Sequence, residues 1–478
     1  MFFNSIDFAI FFPIVFILYW LVSQKLFLRN LLVLVASYIF YGWWDWRFLI
    51  LIVISSFVDF IVGQKLYKSE NIKQRKGLLA ISLIVNLGFL VYFKYTNFFI
   101  ETFVDSFRLF GKELEISTLN IILPVGISFY TFQTLSYTID IYRKQLKPTK
   151  DWLAFFSFVA FFPQLVAGPI ERASHLLPQF YKTYKFNYNL VKSGLLLMAF
   201  GLFKKMVIAD RAAILVNQVY NNPTDYHGYE TILATVLFAF QIYCDFSGYS
   251  DIAIGAARTM GFDLMKNFDS PYFSKSITEF WRRWHISLST WFRDYVYIPL
   301  GGSRSGKYRT YANLFIVFVV SGLWHGAAMT FVVWGAIHGF IIVLEKALTK
   351  YRKKIFTSKN HIINYILGIP LTFAIVCFSW IFFRANSYSD AIQIINHSLQ
   401  IKESQNIFNL GLEKTELNVL FIMIILLLCF ELFHKNYNAI KQLNRLFLPF
   451  RHAVYCLIII VLIVFREVSL SEFIYFQF

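Results

Sequence analysis

Long apolar runs separated by short basic stretches set the pattern of this chain. Runs long enough, or nearly so, to cross a hydrocarbon core of ~30 Å, which takes ~20 helical residues, cover residues 7–22, 31–46, 48–64, 78–95, 119–141, 152–168, 190–209, 230–257, 312–348, 363–383, 417–433 and 452–465. The pattern predicts an all-α polytopic membrane protein with roughly eleven transmembrane helices plus re-entrant or interfacial pieces. No internal repeat and no low-complexity linker divides the chain, so residues 1–478 read as one domain. The run near residue 8 has no basic stretch ahead of it and no small-residue cleavage site after it, which makes it a retained helix rather than a signal peptide.

Two runs are interrupted. The first holds Leu123-Pro124-Val125-Gly126 followed by Ser128, Thr131, Gln133, Thr134 and Ser136; the second ends in Phe162-Pro163-Gln164-Leu165-Val166-Ala167-Gly168-Pro169. Breaks of this kind at membrane depth are tolerated only where protein or a watery cavity satisfies the freed backbone. Both are therefore expected to be broken or re-entrant segments lining an interior space. Residues 261–311 are polar enough to lie at the membrane surface. There, Trp281, Trp284, His285, Leu288, Phe292 and Tyr295 recur at helical spacing, with Arg282, Ser289 and Arg293 on the other side. The spacing predicts an amphipathic helix in or just below the interface.

Composition narrows the class. Hydrophobic residues make up 57% of the chain and charged residues 15%, and mean hydropathy is +0.55. A water-soluble domain could not cover that much apolar surface. The formal net charge of +17 sits in loops between apolar runs, which points to cytoplasmic anchoring and away from nucleic acid. By the positive-inside rule, basic stretches at 23–30, 65–76, 346–354 and 435–451 face the cytoplasm. The turn at 43–47, the polar stretch 385–416 and the C-terminal tail then fall outside. Cys244, Cys377, Cys429 and Cys456 stand singly, giving neither a disulfide framework nor a metal site.

Candidate chemistry gathers at two histidines. His325 lies in Ser321-Gly322-Leu323-Trp324-His325-Gly326, between two apolar runs, and is expected at the apex of a helical hairpin within the depth of the bilayer. Gly322 and Gly326 allow another backbone to approach closely, and Trp324 can wall a pocket. His285 lies in Trp281-Arg282-Arg283-Trp284-His285-Ile286-Ser287. His338 is ~20 Å further along a continuous helix than His325 and is assigned to packing or to the cytoplasmic end of the cavity. His175, His227, His361, His397, His434 and His452 read as ordinary loop or interfacial histidines. Asp245, Ser247 and Asp251 form a polar cluster inside an apolar run, where carboxylates need partners. Arg258 is the candidate partner for Asp251, and Asp245 is a candidate for orienting a histidine or binding an acceptor. Expected substrate contacts are Trp281, Trp284, Ser287, Trp324, Asp245 and Ser247. The Gly-rich loop 299–307 follows no strand and lacks a Gly-Lys-Ser/Thr ending, so it is a weak phosphate-loop candidate.

A histidine with its ordinary pKa near 6.5 suits general-base removal of a hydroxyl proton. No Gly-x-Ser-x-Gly elbow, Cys/His nucleophile or zinc ligand set is present. No metal and no bound cofactor are expected. Activation of an acceptor hydroxyl toward an activated acyl donor fits what remains.

At these residues the chain resembles the membrane-bound O-acyltransferase family, in its bacterial branch of alginate O-acetylation systems. The resemblance rests on Leu123–Gln133, Phe162–Pro169, Asp245–Ser250, the two histidine motifs and Phe378-Ser379-Trp380-Ile381-Phe382-Phe383-Arg384-Ala385. It implies a many-helix fold around a central tunnel, with His325 catalytic and His285 the second active-site histidine. It also implies an inner-membrane location and an acyl donor that is acetyl-CoA or an acylated carrier. Separate extracytoplasmic acetyltransferases would be partners, and a cell-envelope polysaccharide such as alginate the eventual acceptor. A sister branch transfers D-alanine to lipoteichoic acid; the C-terminal helices and the Phe-Phe-Arg-Ala-Asn motif favour the alginate-like branch. Two readings of other classes compete: a polysaccharide or lipid transporter, compatible with the broken segments, and a scaffold for partner enzymes.

Overall fold

The structure, a computed structural model, describes residues 1–109, 111, 116–166, 168–348, 361–401, 410–437, 439–467 and 473–476. Parts of the basic stretches 346–354 and 435–451, part of the polar stretch 385–416, most of the C-terminal tail and Ala167 lie outside the described residues. Among the described residues every regular element is helical. Six stretches are long and apolar enough to cross a membrane: Leu26–Lys68, Ile72–Arg108, Tyr229–Thr259, Met329–Ala347, Tyr365–Arg384 and Lys414–Tyr437. Ile6–Val22 and Leu448–Val464 are shorter apolar helices. The first stretch is two helices, Leu26–Asp45 and Leu49–Lys68, joined by a turn at Trp46–Phe48. Large apolar side chains such as Ile6, Leu21, Ile84 and Phe447 are mostly exposed, as befits surfaces that face lipid. The protein is a multi-pass membrane protein.

The described residues group into two compact units, 1–195 with 253–265, and 196–252 with 266–478. In the first unit, the helix Ile127–Tyr142 is almost wholly buried and begins after the left-handed Gly126. The helix Trp152–Ala160 stops at Phe161, and a single short turn, Phe162–Leu165, follows. Both interruptions therefore fall where the Pro/Gly motifs placed them. The protein itself satisfies the freed backbone: Gln133 and Gln164 each donate to the Phe158 carbonyl, at 2.8 and 2.9 Å, and the Phe162 amide donates to Ser37 at 3.0 Å. Arg75 closes two helix ends at once, donating to the carbonyls of Leu66, Ser69, Ile141 and Tyr142. Buried Asp59 accepts from Ser82 at 2.5 Å and from Asn86 at 2.9 Å.

One histidine set aside as ordinary has a defined role in this unit. His175 donates through Nδ1 to the buried carboxylate of Glu171 at 2.7 Å, and Asp263 lies 3.5 Å from its Nε2. Glu171 also accepts from the Met265 amide at 2.5 Å, so the pair ties loop 168–180 to the turn at 260–265.

In the second unit, the hairpin expected around residue 325 is present as the helices Lys307–His325 and Met329–Ala347. A side chain at Gly322 would fall on the Phe331 carbonyl oxygen, and Gly335 Cα lies only 3.2 Å from that position. The two helices thus touch backbone to backbone just below the tip.

The continuous amphipathic helix expected over 281–295 is not observed. The segment forms two short helices, Ile277–Arg283 and Ile286–Phe292, separated at Trp284 and His285. His285 has a left-handed backbone, φ 44° and ψ 54°, which turns the chain between them. Of the expected faces, Trp281, Trp284, His285, Leu288 and Phe292 are buried and Arg282 and Arg293 exposed, while Tyr295 and Ser289 are both half-buried. The helical period survives in each short helix, but it could not register a one-residue reversal whose cause is a distant partner.

Two outcomes test this packing. Gly322→Val should destabilise the protein in detergent by about 1–3 kcal/mol. Gly77→Ala, at an exposed helical position with open space around it, should be neutral or stabilising by up to about 1 kcal/mol; thermal unfolding reads both. A further outcome concerns pH and the His175–Glu171 pair. Hydrogen bonding to Glu171 raises the His175 pKa above its ordinary value, so its stabilisation is full below about 6.5 and is lost as pH rises through the raised value. Burial raises the Glu171 carboxyl, and protonation of that group sets the acid edge of the window. The melting-temperature gap between wild type and His175→Gln should be widest between those two points and close toward alkaline pH.

Candidate active site

His325 ends its helix at the hairpin tip and is 2% exposed. Four aromatic side chains surround its ring: Trp324 at 4.9 Å between centroids, Trp334 at 5.0 Å, and Phe383 and Tyr475 each at 5.6 Å. The His285 ring is 6.3 Å away, with Trp324 6.0 Å from it. The two histidines singled out in the sequence therefore share one aromatic-lined interior.

Asn267 fixes His285. Its Oδ1 lies 3.0 Å from His285 Nδ1 and accepts from the Ser287 hydroxyl at 2.9 Å, while its amide nitrogen donates to Ser250 at 3.1 Å. An acceptor at Nδ1 places the imidazole proton there and leaves Nε2 as the acceptor nitrogen. Backbone bonds lock the same turn: the Ile286 amide donates to the Asn267 carbonyl and the Asp269 amide to the Arg283 carbonyl, both at 2.9 Å. A left-handed non-glycine residue costs on the order of 1–3 kcal/mol, which this double tie offsets. The His285 ring is fully buried. The Phe246 ring meets it edge-on at 4.6 Å.

The remaining expected contacts are placed differently. Trp324 lies at the pair. Ser287 is engaged by Asn267, and Ser247 accepts from Lys204 Nζ at 2.8 Å. Trp281 donates to His338 Nδ1 at 3.3 Å, and His338 Nε2 is bonded to Ser379 at 2.9 Å. His338 lies far nearer His325 than the ~20 Å of a continuous helix, because the helix ends at His325 and a returning one starts at Met329: the Trp334 ring is 5.1 Å from His338 and 5.0 Å from His325. Trp284 packs among Phe268, Phe280 and Trp380, at 5.1 to 5.4 Å. The partner of Asp251 is Lys204, at 2.6 Å, and not Arg258. Asp245 lies 2.8 Å from Lys205 Nζ, which is also 2.8 Å from Asp210, and its other oxygen accepts from the Ile474 amide at 2.8 Å. Among the described residues no three His, Cys, Asp or Glu side chains come together in a way that could hold a metal ion.

Sequence reasoning missed Asn267, Lys204, Lys205 and Tyr475. Asn267 carries no spacing signal, because its partner is eighteen positions away across an irregular loop. Adjacent Lys204 and Lys205 inside an apolar run were a legible signal, as was the aromatic end Phe473-Ile474-Tyr475-Phe476.

The model of the membrane-bound O-acyltransferase family matches residues 143–386, which include both histidines. The chain belongs to that family. It is 41% identical over 387 residues to a probable alginate O-acetylase of Pseudomonas syringae pv. tomato, covering 80% of this chain and 72% of that protein. A peptidoglycan O-acetyltransferase of Helicobacter pylori is 32% identical over 505 residues, 97% of this chain and 94% of the relative. A teichoic acid D-alanyltransferase of Bacillus subtilis is 30% identical over 282 residues, 56% and 70% of the two chains. The protein is therefore an O-acyltransferase. Asn267→Leu should lower acyl transfer roughly ten- to a hundredfold, the scale seen when an orienting partner of a functional imidazole is removed. Radiolabelled acyl transfer by the purified, monodisperse protein measures it.

Proposed function

We propose that this enzyme moves an acyl group, acetyl in the first instance, from a cytoplasmic thioester donor toward O-acylation of an extracytoplasmic cell-envelope polysaccharide. The observation that carries the reading is the pair His285 and His325, 6.3 Å apart and almost sealed from solvent. The activities of its relatives, all on cell-envelope or extracellular polymers, support the acceptor class. The two O-acetylating relatives match 80% and 97% of the chain, against 56% for the D-alanylating one, which favours acetyl over D-alanyl. The donor is acetyl-CoA or an acylated carrier, and separate extracytoplasmic acetyltransferases complete the delivery.

In this scheme His325 takes the proton from the attacking hydroxyl as its oxygen bonds to the acyl carbon. The carbon–sulfur bond of the donor then breaks, and the proton passes from His325 to the departing thiolate. His285, held with Nε2 as acceptor, orients the hydroxyl or receives a hydrogen bond from it. Enclosure by Trp324, Trp334 and Phe383 excludes water, which protects the thioester from hydrolysis and strengthens each polar contact in the site. Roughly eleven crossings around a tunnel open to both faces of the inner membrane provide the path for donor and acceptor.

His325→Ala should reduce transfer of labelled acetate into the envelope glycan by roughly a hundred- to ten-thousandfold, with the protein still present in the membrane. Wild-type labelling in that variant would remove the acyltransfer role of His325 and return the transporter or scaffold reading.

A further inference from the structure

A buried tryptophan stands beside the hairpin-tip histidine with its polar hydrogen uncommitted. Trp334 lies in the returning helix Met329–Ala347 and is 1% exposed. Its ring meets the His325 ring nearly at right angles, 88° at 5.0 Å between centroids. Among the described residues, nothing accepts its Nε1–H. The neighbouring indole behaves otherwise: Trp281, 5.7 Å away, donates its N–H to His338. A buried indole N–H ordinarily finds an acceptor, and a donor left unmet bears its whole desolvation penalty. Phenylalanine fills aromatic space without that penalty, as Phe383 does 5.6 Å from the imidazole.

The indole is also held in place. Trp380 stacks on it, 5.7 Å away at 16°, and Phe383 meets it edge-on at 5.2 Å. A stacked neighbour covers a face of the ring and not the in-plane edge that carries the N–H. The next residue along the chain is Gly335, where a side chain would fall on the Phe318 carbonyl oxygen. The backbone beside the indole is thus pressed against the helix that ends in His325, and this close approach fixes donor and imidazole relative to one another. A preorganised donor in a site closed to water acts most strongly where charge develops on a substrate oxygen.

We propose that Trp334 is a catalytic residue of the acyl transfer, whose indole N–H donates to the carbonyl oxygen of the acyl group as negative charge builds there. The proposal rests on the acyltransfer reading of the site. As the acceptor oxygen bonds to the acyl carbon, the carbonyl π pair moves onto the carbonyl oxygen, and His325 holds the hydroxyl proton. Trp334 keeps its own proton and hydrogen-bonds that oxygen. The pair returns to re-form the carbonyl as the carbon–sulfur bond breaks, and the departing thiolate takes the proton from His325. An N–H that meets its full acceptor charge only at this stage stabilises the transition state more than the bound donor. Its loss therefore falls on kcat and spares KM.

Trp334→Phe removes the N–H together with part of the ring. Replacing Trp334 with 3-benzothienylalanine removes the N–H alone, because a sulfur takes its place in a ring of nearly the same shape. Initial rates are read in membrane vesicles that carry the enzyme and the envelope glycan, with labelled S-acetyl-phosphopantetheine as donor, the thioester arm that CoA and acylated carriers share. The benzothienyl protein should show kcat lowered roughly a hundredfold, the effect of one lost oxyanion donor, with KM for the thioester little changed. Trp334→Phe should lose at least as much. Wild-type kcat in the benzothienyl protein, or a loss that lies in KM with kcat intact, overturns the proposal. Either of those results alongside an inactive His325→Ala leaves the acyltransfer reading standing, whereas an active His325→Ala removes that reading itself.

Discussion

An imidazole can act as a base in an apolar interior only if its orientation and protonation are set by groups that are themselves satisfied. At His285 that condition governs the local fold. Asn267 reads the Nδ1 proton, Ser250 fixes the Asn267 amide, and Ser287 shares the same oxygen. The left-handed backbone at 285 is the consequence, because only a turn at that residue brings the ring to Asn267 while leaving both flanking short helices in place. His325 is placed by a different device, the end of a helix whose glycine face lets the returning helix touch it.

Around this pair the protein sets charges where an apolar run would place none. Lys204 and Lys205 each meet carboxylates of the helix Tyr229–Thr259, and Lys205 also meets Asp210. Buried ion pairs of this kind contribute little net stability once desolvation is counted. Their value is in register: adjacent lysines engage Asp251 and Asp245, which fixes the helix face that carries Phe246 and Tyr249. Through that face the charge network reaches both imidazoles by ring contacts alone: Phe246 packs on His285 and on Tyr475, which packs on His325.

Aromatic residues supply the rest of the enclosure. Trp334, Trp380 and Phe383 pack with centroids 5.1 to 5.7 Å apart, and the His338–Trp281 hydrogen bond ties the helix Ile277–Arg283 to the hairpin. The result is a closely packed aromatic surround that leaves both imidazoles almost inaccessible to solvent.

Apolar run length, the Pro/Gly interruptions and the isolated histidines were legible along the chain because each is a local property: helix rise sets the span, a missing or restrained backbone donor sets the break, and an ionisable ring in an apolar run demands a reason. These were enough for the helical membrane class, the hairpin at 325, the two candidate histidines and the family. Tertiary structure alone decided the reversal at His285, the partners Asn267 for His285 and Lys204 for Asp251, and the return of Phe473–Phe476 to the site. Each of those is a pairing of groups distant in sequence, chosen by which buried donors and acceptors can reach one another, and no periodicity records such a choice. The histidine motif is a local feature of the chain, while its geometry comes from residues that carry no motif.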